Sequence, residues 1–229
     1  MVPFEILGRV YYVQASNGDG TGTSFTIDVD GQQYLVTARH VVDPAHAPAT
    51  VRLLAFGDWR DVGVAGVWSP PNDIDVAVLA LNERLGDGRF SSHPTMEGIS
   101  WGQDTYFLGF PYSLTTQLIL DEGQPMPFVK KATLSAARKD ANGKDTLWLD
   151  GHVNEGFSGG PVAFQGRPGG PWKIAGITIG YYTRLSTVLM GEKETAMSVR
   201  THTGFVLAHD IGYAVEGARA LGNGPKAKD

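Results

Sequence analysis

The chain has 229 residues, 42% of them hydrophobic and 19% charged, with a formal net charge of -5. That size and apolar share fit one large domain or two small subdomains with a substantial core. The scattered basic residues exclude a stripe for nucleic acid or an anionic membrane surface. Cysteine is absent, so disulfides, thiolate metal sites and a thiol nucleophile are excluded too. The N-terminus has no basic, then apolar, leader pattern, and no run approaches the roughly 20 apolar residues of a membrane helix. A soluble, cytoplasmic protein is expected.

Taken in chain order, 30 glycines and 13 prolines punctuate many short apolar runs, the pattern of strands and tight turns. Residues 5–14 read as a first strand, followed by a polar break at 16–22. Runs 24–29 and 33–37 flank Asp30-Gly31, a hairpin turn. Strand-like runs follow at 51–56, 62–67, 75–81, 106–108, 115–120, 128–134 and 146–149, with Asn142-Gly143 as a second hairpin signal. After these come 162–164, 172–179, a polar excursion over 181–203 whose tip is Glu192-Lys193-Glu194, and 204–208. One segment reads as helix: Asp210 is its cap, and Ile211, Ala214, Val215, Ala218 and Leu221 recur at helical spacing. Residues 222–229 read as a frayed tail. The expected fold class is all-β, a sandwich or a pair of barrels.

Three segments carry chemistry. Gly156-Phe157-Ser158-Gly159-Gly160-Pro161-Val162 sets a hydroxyl among glycines. Acyl transfer creates a negative oxygen, and glycine lets backbone N–H groups converge on it without a side chain in the way; the expected donors are Gly156 and Ser158. His40 ends the run Tyr34-Leu35-Val36-Thr37-Ala38-Arg39, with Val41-Val42 as an apolar anchor behind it. Its imidazole titrates near neutrality, as a general base must. Asp75 heads the apolar run Val76-Ala77-Val78-Leu79, where a carboxylate needs a bonding partner; a histidine N–H is a suitable one. Asp73 is the competitor. Two residues apart on an extended chain, the two would share a face, and Asp75 is preferred because it adjoins the buried run.

Other readings carry less. Gly156-Phe157-Ser158-Gly159-Gly160 also fits the Gly-x-Ser-x-Gly elbow of α/β-hydrolases, with His202, His209, Glu192 and Glu194 downstream, but that fold needs alternating strands and helices before the elbow. Gly18-Asp19-Gly20-Thr21-Gly22 leads into a strand, not a helix, and so lacks the helix N-terminus a phosphate loop uses. Lys130-Lys131 and Arg138-Lys139 read as solvated faces. No metal-ligand spacing is found, and no cofactor is expected.

Together the strings Gly20-Thr21-Gly22-Thr23-Ser24-Phe25, Leu35-Val36-Thr37-Ala38-Arg39-His40, Asp75-Val76-Ala77-Val78-Leu79, Gly109-Phe110-Pro111, Asp150-Gly151-His152-Val153-Asn154-Glu155-Gly156-Phe157-Ser158-Gly159-Gly160-Pro161 and Gly176-Ile177-Thr178-Ile179-Gly180 resemble the chymotrypsin-like serine proteases. They are nearest the cysteine-free bacterial branch that includes the HtrA (Deg) proteases. The resemblance runs from about residue 7 to about residue 210. It implies a single peptidase domain made of two packed six-stranded antiparallel β-barrels, over about 5–95 and 105–210, with a short C-terminal helix over 210–222. It implies catalysis by His40, Asp75 and Ser158, with the oxyanion held by Gly156 and Ser158. Ile177, Thr178 and Ile179 are implied as the edge that pairs with an extended polypeptide substrate, and Thr178 stands where the family often has a hydroxyl near the catalytic carboxylate. His152 falls at the base of the specificity pocket and Gly204 on its wall.

Departures from the family sharpen these expectations. Phe157 stands where digestive enzymes carry an aspartate that pairs with a newly cut N-terminus, so activation by that ion pair is not expected. HtrA proteins continue into peptide-binding domains; here the chain stops, so a regulator is expected to be a separate partner or absent. His152 and Val153 put no carboxylate at the pocket base, which argues against a preference for Arg or Lys. A histidine there either binds an acidic side chain or narrows an apolar pocket. The leading function is a serine endopeptidase. Its rivals are a protease-fold peptide-binding module with little or no catalysis, and an esterase on the same scaffold.

Overall fold

The computed structural model of the chain describes residues 1–14, 21–42, 49–55, 57–86, 93–117, 125–139 and 143–226. The strand expected over 5–14 divides in two: a helical turn, α1 (Phe4–Leu7), and strand β1 (Val10–Gln14). Pro3 sets up that turn and the Gly8 N–H closes it on the Phe4 carbonyl at 2.8 Å, so chain geometry overrides an apolar run that reads as extended. Strands β2 (Thr21–Val29) and β3 (Gln32–Thr37) form the hairpin expected at Asp30-Gly31, both turn residues adopting positive φ. A second helical turn, α2 (Arg39–Val42), precedes β4 (Thr50–Ala55), β5 (Asp58–Trp68) and β6 (Ala77–Leu81). These six strands close into an antiparallel barrel in the order β1-β2-β3-β6-β5-β4.

The second half repeats the design. Strand β7 (Asp104–Gly109) is followed by a short pair, β8 (Thr116–Gln117) and β9 (Pro125–Met126), then β10 (Phe128–Lys139), β11 (Asp145–Asp150), β12 (Pro161–Gln165), β13 (Trp172–Met190) and β14 (Lys193–Asp210). A second closed barrel runs β10-β11-β14-β13-β12-β7. The fold class is therefore the expected one. Residues 118–120 of the run expected at 115–120, and Asn142 of the second hairpin signal, lie outside the described residues.

Two sequence expectations need correction here. The excursion over 181–203 ends in the exposed hairpin tip read at Glu192-Lys193-Glu194, but its arms are strands: β13 and β14 stay paired along it, down to Met190 opposite Lys193, with two register shifts on the way. The ribbon is mostly exposed, so it lacks the alternating apolar pattern that marks a half-buried strand. The tail docks as well. Gln33 N–H bonds the Pro225 carbonyl at 3.0 Å, and Lys226 bridges to Gln32; residues 227–229 are outside the described range.

Three apolar clusters explain the long runs. One is drawn from the first barrel alone and includes Leu35, Leu53, Ala77, Leu79 and Leu81. Another belongs to the second barrel and includes Phe107, Leu149, Val162 and Phe164. The largest takes the alternate residues, Val36, Val78, Leu108, Phe110, Ala163 and Ile177, and adds Ile211, Ala214 and Ala218. A strand such as β6 thus buries both faces, one in its barrel and one in the layer shared between barrels, and loses the polar alternation of a solvated sheet. Helix α3 (Gly212–Leu221) closes this layer. Asp210 lies one residue before the N-cap Ile211, and its carboxylate accepts the Gly212 N–H at 2.7 Å; Gly222 ends the helix in the left-handed region.

Helix α3 rests on the first barrel through Gly217, where an added Cβ would collide with the Trp68 ring. Helix propensity alone makes Gly→Ala favourable by about 1 kcal/mol. Gly217→Ala should instead lower stability by about 1–3 kcal/mol through overpacking, read as a reduced midpoint in urea unfolding. A raised midpoint would show that Trp68 yields freely.

Candidate active site

The first-barrel part of the site is built on the exit from β3. Val41 and Val42 are buried and pin α2, which leaves the His40 side chain about half exposed (54%). Asp75 grips it twice. The His40 backbone N–H donates to Asp75 Oδ1 at 3.0 Å, and Nδ1 lies 2.7 Å from Oδ2. With Nδ1–H donating to the carboxylate, the neutral ring keeps its lone pair on Nε2. That side-chain bond to Asp75 raises the His40 pKa above 6.5, against the opposing effect of burial. For Asp75 burial is the largest influence and favours the neutral acid, but the bonds and charge of His40 outweigh it and hold the carboxyl below its ordinary 3.8.

Asp73 does not share this face. Asn72 and Asp73 both have positive φ, so the segment is a turn and the two-residue alternation of extended chain does not apply. The Asp73 side chain is exposed, 4.0 Å from Arg39. Asp75 itself precedes β6, in a tight turn closed by Val76 N–H to the Ile74 carbonyl at 2.9 Å.

The second-barrel part is the turn before β12. Its glycines answer close approaches. Gly159 has φ +86° and faces the Thr23 carbonyl, the Thr37 hydroxyl and the Ala38 N, so a Cβ there would collide with all three. Gly156 has φ +96° and is pressed on the Phe110 carbonyl. Thr23 N–H donates to the Ser158 carbonyl at 2.9 Å, and Gly159 N–H donates to the Thr178 carbonyl at 2.7 Å. Ser158 is thereby held against the strand ends that lead to His40. Its hydroxyl makes no hydrogen bond to a described residue, His40 included.

Within this turn the amides divide. Phe157, Gly159 and Gly160 N–H groups bond the carbonyls of Asn154, Thr178 and Phe157. Those of Gly156 and Ser158 have no acceptor among the described residues. Each free N–H shares its peptide plane with an engaged carbonyl: Tyr112 N–H donates to the Glu155 carbonyl at 3.0 Å, in plane with Gly156 N–H, and Gly160 N–H donates to the Phe157 carbonyl at 2.9 Å, in plane with Ser158 N–H. The Thr23 hydroxyl ties the Gly156 carbonyl between them, donating to it at 2.6 Å while accepting the Phe110 N–H at 3.1 Å.

The expected substrate-side residues are placed unevenly. Ile177 is fully buried and paired on both sides, to Pro161 and His209. Thr178 has its N–H on the Gly160 carbonyl and its own carbonyl on Gly159. Neither offers a free edge. Pairing with β12 stops there, so the open edge begins at Ile179. The Thr178 hydroxyl is buried with no hydrogen-bond partner among the described residues, Asp75 included. His209 does the supporting instead: its Nε2 accepts the Asp75 N–H at 3.2 Å while Nδ1 faces the Asp145 carbonyl at 3.3 Å. Gly204 has φ +86° and ties back to the 151–158 segment, its carbonyl accepting the Gly151 N–H at 2.8 Å.

Three contributions had no functional reading in the sequence. Thr23 lies in the run Gly20-Thr21-Gly22-Thr23-Ser24-Phe25, where nothing local marks it for a role. His209 carried no local signal beyond being a histidine in an apolar strand. Lys130 is not merely a solvated face: its Nζ donates to the His152 carbonyl at 2.7 Å and to Asn154 Oδ1 at 2.6 Å. Among the described residues no cluster of His, Asp and Glu could hold a metal ion, and no helix is long and apolar enough to cross a membrane.

Comparison with solved structures gives the same fold at low identity. The Rv3671c protease of M. tuberculosis in its active form is 18% identical, with a TM-score of 0.60 over 97% of this chain and 85% of that one. The HtrA-type protease AlgW, solved with a tripeptide, is 18% identical with a TM-score of 0.63, over 95% of this chain and 61% of that one. A serine endoprotease from Yersinia pestis is 18% identical with a TM-score of 0.59, over 96% of this chain and 68% of that one. No curated protein sequence matches the chain. The family model of the trypsin-like peptidase domain matches residues 20–167. That match covers well over half of the sequence, so the chain belongs to the trypsin-like peptidase domain family and is a hydrolase of the serine protease class.

Proposed function

We propose that the chain is a serine endopeptidase that cleaves polypeptide through an acyl-enzyme, with Ser158 as nucleophile, His40 as base and Asp75 as its orienter. The observation that carries this reading is the division of amides in the 156–160 turn, where only Gly156 and Ser158 keep N–H groups without an acceptor among the described residues, beside the reactive hydroxyl. Ser158 Oγ attacks the scissile carbonyl carbon and passes its proton to His40 Nε2. The carbonyl oxygen becomes an oxyanion bonded by the Gly156 and Ser158 N–H groups. The C–N bond then breaks, and His40 returns the proton to the leaving amine. Water repeats the sequence on the ester, freeing the acid and restoring Ser158. Asp75 stays ionised throughout and holds the tautomer. The substrate lies extended along the open edge from Ile179, where backbone bonds are available irrespective of its sequence.

A second reading, a peptide-binding module without turnover, draws on the Ser158 hydroxyl that lies unbonded to His40. Catalytic hydrogen bonds often tighten only when substrate arrives, so the first reading is preferred. A fluorophosphonate probe separates the two: labelling at Ser158 supports the peptidase, and none between pH 6 and 9, a range bracketing imidazole titration, supports the binding module.

Ser158→Ala should cut turnover by roughly 10⁴–10⁶ with the fold intact; peptidase activity surviving in that variant rejects the assignment. Catalysis needs neutral His40, and its pKa lies above 6.5. The rate, kcat/KM, should therefore fall on the acid side with a midpoint above 6.5. Asp75→Asn removes that upward influence and the tautomer control, so the midpoint should move down and kcat should drop by about 10⁴. Thr23→Val orphans the Gly156 carbonyl and the Phe110 N–H. It should cost about 1–3 kcal/mol of stability and lower kcat by roughly tenfold or more as the amides lose their aim, measured by urea unfolding and steady-state kinetics.

A further inference from the structure

A polar cluster that the reaction does not use lies between the 151–158 segment and the base of the β13–β14 ribbon. Its centre is His202. Nδ1 of that ring accepts the Gly204 N–H at 2.8 Å, so in the neutral ring the proton sits on Nε2. Nε2 is buried and has no hydrogen-bond partner among the described residues. Tyr181 stacks on the ring at 4.6 Å and the His152 ring lies at 4.5 Å. Lys130 completes the group. Both of its hydrogen-bond acceptors, the His152 carbonyl and Asn154 Oδ1, are uncharged. Its neighbour Lys131, by contrast, pairs with Asp104 at 2.8 Å. Among the described residues no carboxylate acts on Lys130 or His202. Burial first, then His152 and Lys130, hold the His202 pKa below 6.5, as expected of a site with positive charge and no anion.

The cluster adjoins the reacting hydroxyl through short links. Lys130 Nζ stands 5.6 Å from the centre of the Phe157 ring, the residue before Ser158. Gly151 N–H to the Gly204 carbonyl joins the two walls. Tyr181 lies three residues beyond Thr178, whose carbonyl holds Gly159.

We propose that Lys130, His152 and His202 form a recognition site for a carboxylate side chain, so that the enzyme cleaves after acidic residues. The inference rests on the endopeptidase reading and names its substrate class. A carboxylate accepts the orphaned Nε2–H and neutralises Lys130 together. A glutamine side chain satisfies only the first, an aliphatic chain neither, and a lysine adds a further cation. A buried hydrogen-bonding group left unpaired by the wrong substrate is a strong source of discrimination.

The test uses the full chain and matched fluorogenic peptides that differ only in the residue before the scissile bond: Glu, Asp, Gln, Leu or Lys. For Glu or Asp, kcat/KM should exceed that for Gln and Leu by roughly tenfold or more, with Lys the poorest. His202→Phe keeps a ring against Tyr181 and removes the donor; Lys130→Met removes the charge. In each, the ratio of Glu to Leu should fall by roughly tenfold, and because it is a ratio within one preparation, partial misfolding cancels. Fluorophosphonate labelling of Ser158 counts the intact sites. Efficient cleavage with Gln equal to Glu, or with Leu or Lys preferred, overturns the inference and leaves the peptidase standing; so does a ratio unchanged in both variants. A wild type that cleaves no peptide and takes no label removes the peptidase reading, and this inference falls with it.

Discussion

Everything in the site hangs from one seam, where the 156–160 turn of the second barrel is pressed onto the strand ends of the first. Gly159 fits there because it has no Cβ. Its Cα faces Thr23, Thr37 and Ala38 at once, while its N–H reaches across to Thr178. Thr23 N–H takes the Ser158 carbonyl from the same side. The backbone around Ser158 is thus fixed by main-chain bonds to both barrels. The apolar layer of Val36, Val78, Leu108, Ala163 and Ile177 that presses the barrels together also sets where Ser158 stands relative to His40. Packing and catalytic geometry are here the same constraint, since a core that does not compress smoothly transmits small changes in shape.

Thr23 turns that seam into chemistry. Its hydroxyl serves two masters, accepting from Phe110 and donating to Gly156. An amide plane has its C=O and N–H on opposite sides, so the Glu155 carbonyl held by Tyr112 N–H and the Phe157 carbonyl held by Gly160 N–H turn the Gly156 and Ser158 N–H groups the other way. With the Gly156 carbonyl between them held by Thr23, the turn is fixed without the ion pair that digestive enzymes make at the position filled here by Phe157. Phe157 is instead fully buried, edge-on to Phe107 at 5.1 Å, and helps hold the turn by packing.

The sequence made the barrels and the three polar groups legible because each lies at a sharp boundary: an apolar run that ends in His40, one that begins after Asp75, and glycines around Ser158. Runs such as 76–81 were readable as strands because both faces are buried. What escaped was set by tertiary partners. Proline and a local carbonyl made α1 from residues that read as extended. The exposed ribbon over 181–203 has no apolar alternation, so its pairing came only from strand-to-strand bonds. His209 and Lys130 gained their roles from residues 134 and 22 to 24 positions away, a distance over which no local pattern speaks. Thr178 shows the converse: it stands where the resemblance implies a hydroxyl near the carboxylate, and here that hydroxyl is buried with no hydrogen-bond partner among the described residues.

The support of Asp75 accordingly comes from elsewhere, and this has an electrostatic consequence. Both carboxylate oxygens face His40, one its amide and one its ring, while His209 takes the Asp75 N–H and is the last and smallest of the influences that favour the carboxylate. The charge of Asp75 is therefore balanced chiefly by His40. A depressed carboxyl pKa stabilises the fold above the ordinary value of 3.8 and the benefit fades as pH falls through the folded-state value; a raised imidazole pKa stabilises it below 6.5 and the benefit fades as pH rises through its folded-state value. The two overlap fully between those limits, where His40 is protonated and cannot act as a base. Under the proposed mechanism the pair thus contributes most to stability on the acid side of its working range, and the bond that orients the imidazole is strongest in the form that the reaction does not use at the outset but generates at the moment of attack.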